Sequence, residues 1–434
     1  MNNKDVEMTD AGQQPAQELK PLLRFPEFGE QEGWKTLKLE DVSIPVTERV
    51  GERKLVPVSI SAGTGFVAQA EKFGRDISGN QYRLYTVVRD GDFVYNKGNS
   101  VRFPQGCIYQ LQGWGEVAAP NVFICFRLKK GYVNDFFQYC FEKNIHGLQL
   151  KKHITSGARS NGLLNISKQA FFGIEIPLPR ADEQRKIADC LSSIDELIQS
   201  ETKKLSALAA YKKGLMQRLF PRQGESVPRL RFPEFENTGE WKKQKISALL
   251  RKVSNPVEVD PDRMYQQIGI RSHGKGIFHK ELVSGKELGN KRVFWVEDGA
   301  FIVNIVFAWE QAVATTSSEE KGMIASHRFP MFKAKAGKAY VPYIKHFFLT
   351  KQGKHLLLLA SPGGAGRNRT LGQKEFENLE FLAPETVEEQ TKIADFLASM
   401  DSLIGEQERK LEAVKRHKAG LMQQLFPPSD WIAE

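Results

Sequence analysis

The segment EQRKIADCLSSIDELIQSETKKLSALAAYKKGLMQRLFP, Glu183–Pro221, returns as EQTKIADFLASMDSLIGEQERKLEAVKRHKAGLMQQLFP, Glu389–Pro427, with 22 of 39 positions identical in direct register. A chain that writes one long stretch twice is built from two similar halves, and such symmetry limits the fold before any single element does. A second repeat brackets the first. PLLRFPEF at Pro21–Phe28 matches PRLRFPEF at Pro228–Phe235, and each is followed six residues after its last Phe by a tryptophan, Trp34 or Trp241. The order is globular segment, helix, globular segment, helix.

The repeated stretch reads as a heptad helix. Ile187, Leu191, Ile194, Ile198, Glu201, Leu205 and Leu208 alternate spacings of four and three, as do Ile393, Leu397, Met400, Ile404, Gln407, Leu411 and Val414. Both copies carry one polar residue, Glu201 or Gln407, at the same seam position. Such a residue either fixes register or leans out to solvent. Asp182 suits a helix start, and Pro221 and Pro427 follow the ends. From Asp182 to Arg218 the rise is roughly 55 Å at 1.5 Å per residue. Each apolar stripe needs a cover, and domain termini usually lie close together. These points predict an antiparallel coiled coil, a rod with a globular domain at each end and an approximate two-fold axis.

The globular segments read as mixed α/β (α+β). Tyr82–Val88, Asp92–Tyr95 and Val122–Arg127 are expected strands in the first, Phe294–Val296 and Phe301–Phe307 in the second. Asp90-Gly91 and Asp298-Gly299 mark turns leading into strands. Asn134–Glu142 and Tyr343–Gln352 are expected short helices. The resulting division is 1–18 a disordered tail, 19–179 a first globular domain, 180–221 a helix, 222–384 a second domain, 385–427 a helix and 428–434 a tail. The segments end alike, in NISKQAFFGIEIPLP and LGQKEFENLEFLAP, but differ before that. The scaffold repeats while the heads differ.

At 434 residues the chain exceeds one ordinary core. Its net charge of +10 is compatible with simple solubility or with an anionic partner, nucleic acid or membrane surface. No apolar run reaches the roughly 18 residues that span a bilayer, and the polar first residues do not resemble a signal peptide. Cys107, Cys125, Cys140 and Cys190 have no CxxC spacing, so neither a zinc site nor a disulfide framework is expected, and a reducing cytoplasm suits them.

No catalytic constellation stands out. There is no GxxxxGK[ST] loop. Ser61–Phe66 (SAGTGF) and Ser361–Arg369 (SPGGAGRNR) are glycine-rich without a strand-to-helix phosphate context. Asn255-Pro256 lacks the aromatic that an amino-methyltransferase motif needs. Asp195, Glu201 and Lys203 mimic a nuclease carboxylate set only loosely, since they lie on a heptad helix. His273–His279 is too loose for a metal site. Basic and amide residues on expected loops are the stronger signal. In the first half these are Arg83, Asn96, Lys97, Arg102, Lys151, Lys152, Arg159 and Asn161; in the second, Arg271, Arg292, Asn304, Arg328, Arg367 and Arg369. Lys and Arg bind phosphate through charge, and Arg, Asn and Gln also make bidentate contacts to base edges. A single patch of this kind is ordinary solvated surface. Comparable patches in both halves of a basic chain point to DNA.

The paired EQxKIADxLxSxDxLI…KL…GLMQxLFP strings, preceded by IPLP and LAP, resemble the specificity subunit of a type I restriction–modification system over essentially all of the chain after the tail. The resemblance implies two target-recognition domains alternating with two coiled-coil helices, each domain reading one half of a split, asymmetric site on double-stranded DNA. It implies a spacer set by the coiled coil. It further implies a non-catalytic chain that binds no cofactor itself and recruits two modification subunits, which methylate adenine N6 with S-adenosylmethionine. Restriction subunits using ATP and Mg2+ would join them, in the cytoplasm of a bacterium or archaeon and with no membrane role. Gly214–Phe220 (GLMQRLF) and Gly420–Phe426 (GLMQQLF) are then docking segments for modification subunits or recognition domains, or simply internal packing. A self-contained DNA enzyme and a stand-alone duplicated DNA-binding regulator are the rival readings.

Overall fold

The computed structural model describes residues 19–61, 63–98, 103–154, 164–363 and 369–432. The tail expected at 1–18 lies outside them. The chain forms two compact units, Met1–Ser200 with Leu411–Glu434, and Glu201–Lys410.

In the first unit one sheet runs in the order β2 (Ser43–Pro45), β9 (Ile124–Leu128), β6 (Phe93–Asn96), β7 (Cys107–Gln110), all antiparallel. The other runs β4 (Gly65–Ala68), β3 (Val56–Ser61), β8 (Glu116–Ala119), β5 (Thr86–Arg89), with β3 and β8 parallel. β1 (Lys35–Lys38) pairs with β10 (Glu175–Leu178), setting Lys35 opposite Leu178 and closing the unit near the helix entry. The helices are α1 (Leu39–Val42), α2 (Gln69–Phe73), α3 (Asn134–Glu142), α4 (Ile145–Leu150), α5 (Lys168–Phe172) and the long α6 (Ala181–Leu219). β6 is buried from Phe93 to Tyr95, as expected for a central strand. Its core is aromatic, with Tyr95 stacked on Phe171 at 4.6 Å and Phe93 on Phe126 at 5.3 Å. Each such ring contributes about 1.5–3 kcal/mol by leaving water.

The second unit repeats this topology. Its sheets are β12 (Leu250–Val253), β19 (Met331–Ala334), β16 (Phe301–Val303), β17 (Val313–Thr315), and β14 (Ile277–Ser284), β13 (Met264–Ile270), β18 (Ile324–Ser326), β15 (Val293–Trp295), each in that order. β13 and β18 are the parallel pair, and β11 (Lys242–Lys245) pairs with β20 (Glu380–Ala383). The helices are α7 (Ile246–Leu249), α8 (Gly285–Leu288), α9 (Val341–Phe348), α10 (Lys351–Leu359), α11 (Gln373–Glu377) and the long α12 (Val387–Leu425).

Three expected elements differ. Tyr82–Val88 is not one strand: Gly79–Leu84 is a 3-10 turn and β5 starts at Thr86, because the Tyr82 hydroxyl is fixed to the backbone of Leu55. Phe301–Phe307 stops as a strand at Val303, where the Asn304 Oδ1 accepts from Val306 N and turns the chain. Tyr343–Gln352 is two helices, broken where the Thr350 hydroxyl caps α10 through Gly353 N.

α6 and α12 run antiparallel. In the first unit Ile187 and Leu191 share a core with Met422, Leu425 and Phe426, and Asp195 pairs with Lys418 at 2.8 Å. In the second, Glu201 meets Gln407, Lys212 meets Asp401, and Leu215, Leu219 and Phe220 share a core with Ile393, Leu397 and Met400. Ile194, Ile198, Leu205, Leu208, Ile404 and Val414 are half-buried, and Leu411 is buried. Each long helix thus contributes one part to each unit. The segment expected as a C-terminal tail packs Trp431 and Ile432 onto the first unit's core. Among the described residues no helix is long and apolar enough to cross a membrane, and no group of His, Cys, Asp or Glu could hold a metal ion.

Candidate nucleic-acid interface

One backbone device builds the same edge in both units. Asn96 ends β6, its Oδ1 accepts from Gly98 N at 2.8 Å, and its Nδ2 donates to Ile60 O at 3.2 Å. Asn304 follows β16, and its Oδ1 accepts from Val306 N at 3.1 Å. An asparagine that bonds its own backbone two residues on makes a turn without help from a partner strand. Beyond each turn the chain is held by a matching bond, Leu164 N to Lys97 O at 2.9 Å and Leu371 N to Ile305 O at 2.8 Å. These two candidates are therefore structural equivalents. Asn304 is buried, and its amide is engaged in the turn, so this residue holds the loops rather than presenting itself. Asn96 is half-buried.

In the first unit Lys97 follows Asn96 on this edge and is half-buried, and Lys151 and Lys152 are exposed on a 3-10 turn that ends at His153. Arg102, Arg159 and Asn161 lie outside the described residues. Arg83 stands apart. It is exposed and pairs with Glu52 at 3.1 Å.

In the second unit scattered cations are gathered around Ile305–Gln311. Ile305 N donates to Arg328 O, and His327 N donates to Arg292 O. The β13–β14 turn docks through His273 N to Glu310 O and Gly274 N to Gln311 O. The turn can do so because Gly274 has φ +68°, and a Cβ there would meet Leu349 at 2.5 Å. Arg271 on this turn stacks on Phe278 at 4.8 Å. Arg369 forms a bridge with Gly363, and Arg367 lies between them outside the described residues. Arg271, Arg292 and Arg328 are exposed and Arg369 is half-buried. Four cations that are far apart in sequence thus sit on loops tied to one turn.

The helix pair carries its own chemistry. Glu201 is buried, and its carboxylate receives Gln407 Nε2 and Lys410 Nζ. Hydrogen bonding from Gln407, and then from Lys410, holds this carboxyl below its ordinary value. Of the two roles open to the polar seam residues, the structure has the inward, paired one. In the first unit Lys418 bridges Asp195 and Glu142, and the Tyr139 hydroxyl donates to Asp195 at 2.8 Å. The GLMQRLF and GLMQQLF segments pack within their units through Leu215, Leu219 and Phe220, and through Met422, Leu425 and Phe426. In the second unit a cavity of about 730 Å³ opens between the end of α6 and α10. Met216, Phe220, Leu356 and Leu359 line it, with Lys213, Arg222, Lys351 and His355 also on its walls.

Sequence reading missed a clamp. Arg24 and Trp34 both reach Glu183, and Arg231 and Trp241 both reach Glu389. The signal was available, since RFPEF, the tryptophan and the helix-start Glu all repeat at nearly one offset.

Comparison with known proteins agrees with this architecture. Residues 80–210 match the family model for the type I restriction modification DNA specificity domain. The chain is 34% identical over 101 residues to the type I restriction enzyme MjaVIII specificity subunit of Methanocaldococcus jannaschii, a match covering 21% of this chain and 24% of that one. It is 23% identical over 318 residues to the putative MjaX specificity subunit of the same organism, covering 69% of each. The chain thus spans about a quarter of the first relative's length and about two thirds of the second's. Among solved structures, the fold matches an S subunit of a type I restriction–modification system from M. genitalium, with TM-score 0.55, 11% identity, and 94% of this chain and all of that one covered. It also matches a chain described under complex assembly and conformational transition of the type I R-M system, with TM-score 0.52, 12% identity, and 92% and 98% covered. Fold and matches together show a two-unit chain similar in architecture to specificity subunits of type I restriction–modification systems, with residues 80–210 matching the DNA specificity domain of that family.

Proposed function

We propose that each unit reads one half of a split, asymmetric DNA site and that the chain is a non-catalytic scaffold, the methylation and cleavage chemistry lying on partners. The observation that carries this reading is the repeated turn at Asn96 and Asn304. One scaffold presents loops at the same edge twice, and the cations on those loops differ between units. Two different readers on one scaffold give a non-palindromic site, whereas identical readers give a palindrome. The Glu201–Gln407 pairing supports a helix pair of fixed register, and therefore a fixed spacer. Modification subunits supply adenine N6-methylation with S-adenosylmethionine, and restriction subunits supply ATP- and Mg2+-dependent cleavage. The apolar groove between α6 and α10, with its basic walls, suits an acid-flanked apolar segment of a modification subunit.

A genome-wide methylation map of the host, with and without the gene, tests the reading. Loss of one interrupted two-part N6-methyladenine motif on deletion is the expected result. An unchanged map with the modification partner expressed would leave a stand-alone DNA-binding regulator. Lengthening α6 and α12 by one turn each should change the spacer and leave the bases read unchanged.

A further inference from the structure

The second unit has a recess of about 220 Å³ where its two four-stranded sheets meet. Lys252 of β12, Arg292 before β15 and His327 after β18 converge on it, and Phe294, Ile305 and Phe329 complete the wall. All three basic side chains are exposed. Lys252 Nζ is bonded to the Gln373 side-chain oxygen, a neutral acceptor that orients the ammonium without cancelling its charge. Among the described residues no carboxylate pairs with Lys252, Arg292 or His327. Neighbouring cations are engaged: Lys333 with Glu297 at 3.1 Å, and Arg263 over Trp295 at 5.1 Å.

The repeat supplies a control within the same chain. Strand register equates Lys252 with Pro45, Arg292 with Leu84 and His327 with Asn121. The first unit builds the same sheets with none of these charges, so the scaffold does not require them. Like charges held together without counter-charge cost stability, and a partner anion offsets that cost.

We propose that this recess takes one backbone phosphate of the duplex read by the second unit, held by Lys252 and Arg292 with His327 at the rim. The inference rests on the DNA-reading function above. Stacked bases present flat edges inside a groove and would have to leave the stack to enter a concavity. A phosphate projects outward and fits one. The recess also offers donors almost alone, since the Gln373 oxygen is already used, whereas base readout in general needs both donors and acceptors. Phosphate contacts set the position of a reader on DNA without choosing the sequence. Arg292 is then a positioning contact, and base discrimination in this unit falls to neighbours such as Arg271 and Arg328.

The test uses the full chain assembled with its modification subunits, with Lys252→Gln, Arg292→Gln and His327→Gln variants checked for unchanged melting. Affinity is measured across salt concentrations on the target duplex and on one altered in the second half-site. For Lys252→Gln and Arg292→Gln, affinity should fall by the same factor on both duplexes, and the logarithmic salt slope should shrink by about 0.9 per charge removed. A methylphosphonate at the contacted position should abolish the difference between wild type and Arg292→Gln. An altered base preference with an unchanged slope would make this a base-reading pocket and overturn the proposal. Binding of inorganic phosphate or ATP that these variants abolish, with DNA affinity unaffected, would assign it to a free ligand instead. Absence of site-specific binding by the wild-type assembly would sink the DNA-reading function, and this proposal with it. Failure of the variants alone would leave that function standing.

Discussion

Arg24 and Glu183, 159 residues apart, meet as a bidentate pair, Nε to Oε1 at 2.8 Å and Nη2 to Oε2 at 2.7 Å. Arg231 and Glu389 repeat the geometry at 2.7 and 2.8 Å. In each case the tryptophan Nε1 donates to the same carboxylate, at 3.3 and 3.2 Å. The pair ties the segment entering each unit to the first turn of the long helix leaving it. Both carboxylates are almost wholly buried. Arg24→Ala leaves the buried Glu183 carboxylate without its counter-charge, with only the Trp34 N–H still donating to it, and should cost the first unit about 3–5 kcal/mol. Arg24→Met with Glu183→Met should recover most of that loss. Denaturant titration of the two variants decides it; equal losses would mean that the clamp's shape matters and its charge does not.

Glu201 gives a pH-dependent register lock. Its folded-state pKa lies below its ordinary value of 4.5. The stabilisation is therefore present above 4.5 and is lost as pH falls through the folded value. Melting followed from pH 7 to pH 3 should decline less steeply in Glu201→Gln than in the wild type. Gln407→Glu should reverse the sign, placing two carboxylates together so that mild acid stabilises the pair relative to neutral pH.

His346 on α9 is fully buried, and neither ring nitrogen has a hydrogen-bond partner. Burial, then the nearby Lys345 and Lys212, pushes its pKa from 6.5 down to about 2. The unfolded chain takes up a proton below pH 6.5 that the folded chain refuses. Stability should therefore fall with acid by about 1.4 kcal/mol per pH unit from this group. His346→Phe removes the unpaired polar atoms and should flatten that slope, gaining more at pH 5 than at pH 8. A parallel pair of pH profiles would refute it.

Leu359 is 61% exposed on the wall of the groove beside α6. Leu359→Arg should leave melting within about 0.5 kcal/mol of wild type, as surface changes usually do. It should weaken association with a modification subunit at least tenfold. Unchanged association in a pull-down or titration would remove the groove from the docking surface.

Much of this architecture was legible because periodicity and repetition are properties of sequence. The heptad at Ile187–Leu208 and its copy gave both helices, and Asp90-Gly91 and Asp298-Gly299 stood before β6 and β16. The misses have local causes. Tyr82 reads as a strand residue by propensity, yet the fixed position of its hydroxyl puts it in a 3-10 turn. Asn304 reads as a DNA contact by residue type, but the same amide chemistry serves a buried turn. Composition cannot tell a side chain that presents itself from one that holds a loop, because both uses need the same donors and acceptors. The convergence of Lys252, Arg292 and His327 was illegible for another reason. Strand order brings them together, and local pattern along a chain does not encode which strands become neighbours.

The first unit is discontinuous in sequence, since Met422, Leu425 and Phe426 complete a core begun at Trp34 and Leu39. The second is continuous, from Glu201 to Lys410. During synthesis at about 5–20 residues per second, the unit that leaves the ribosome first is therefore finished last. Its core stays open until α12 has been made, while the later unit can already close. A stop within the codons for 411–434 would spare the unit of Glu201–Lys410 and disable the one whose synthesis began before it.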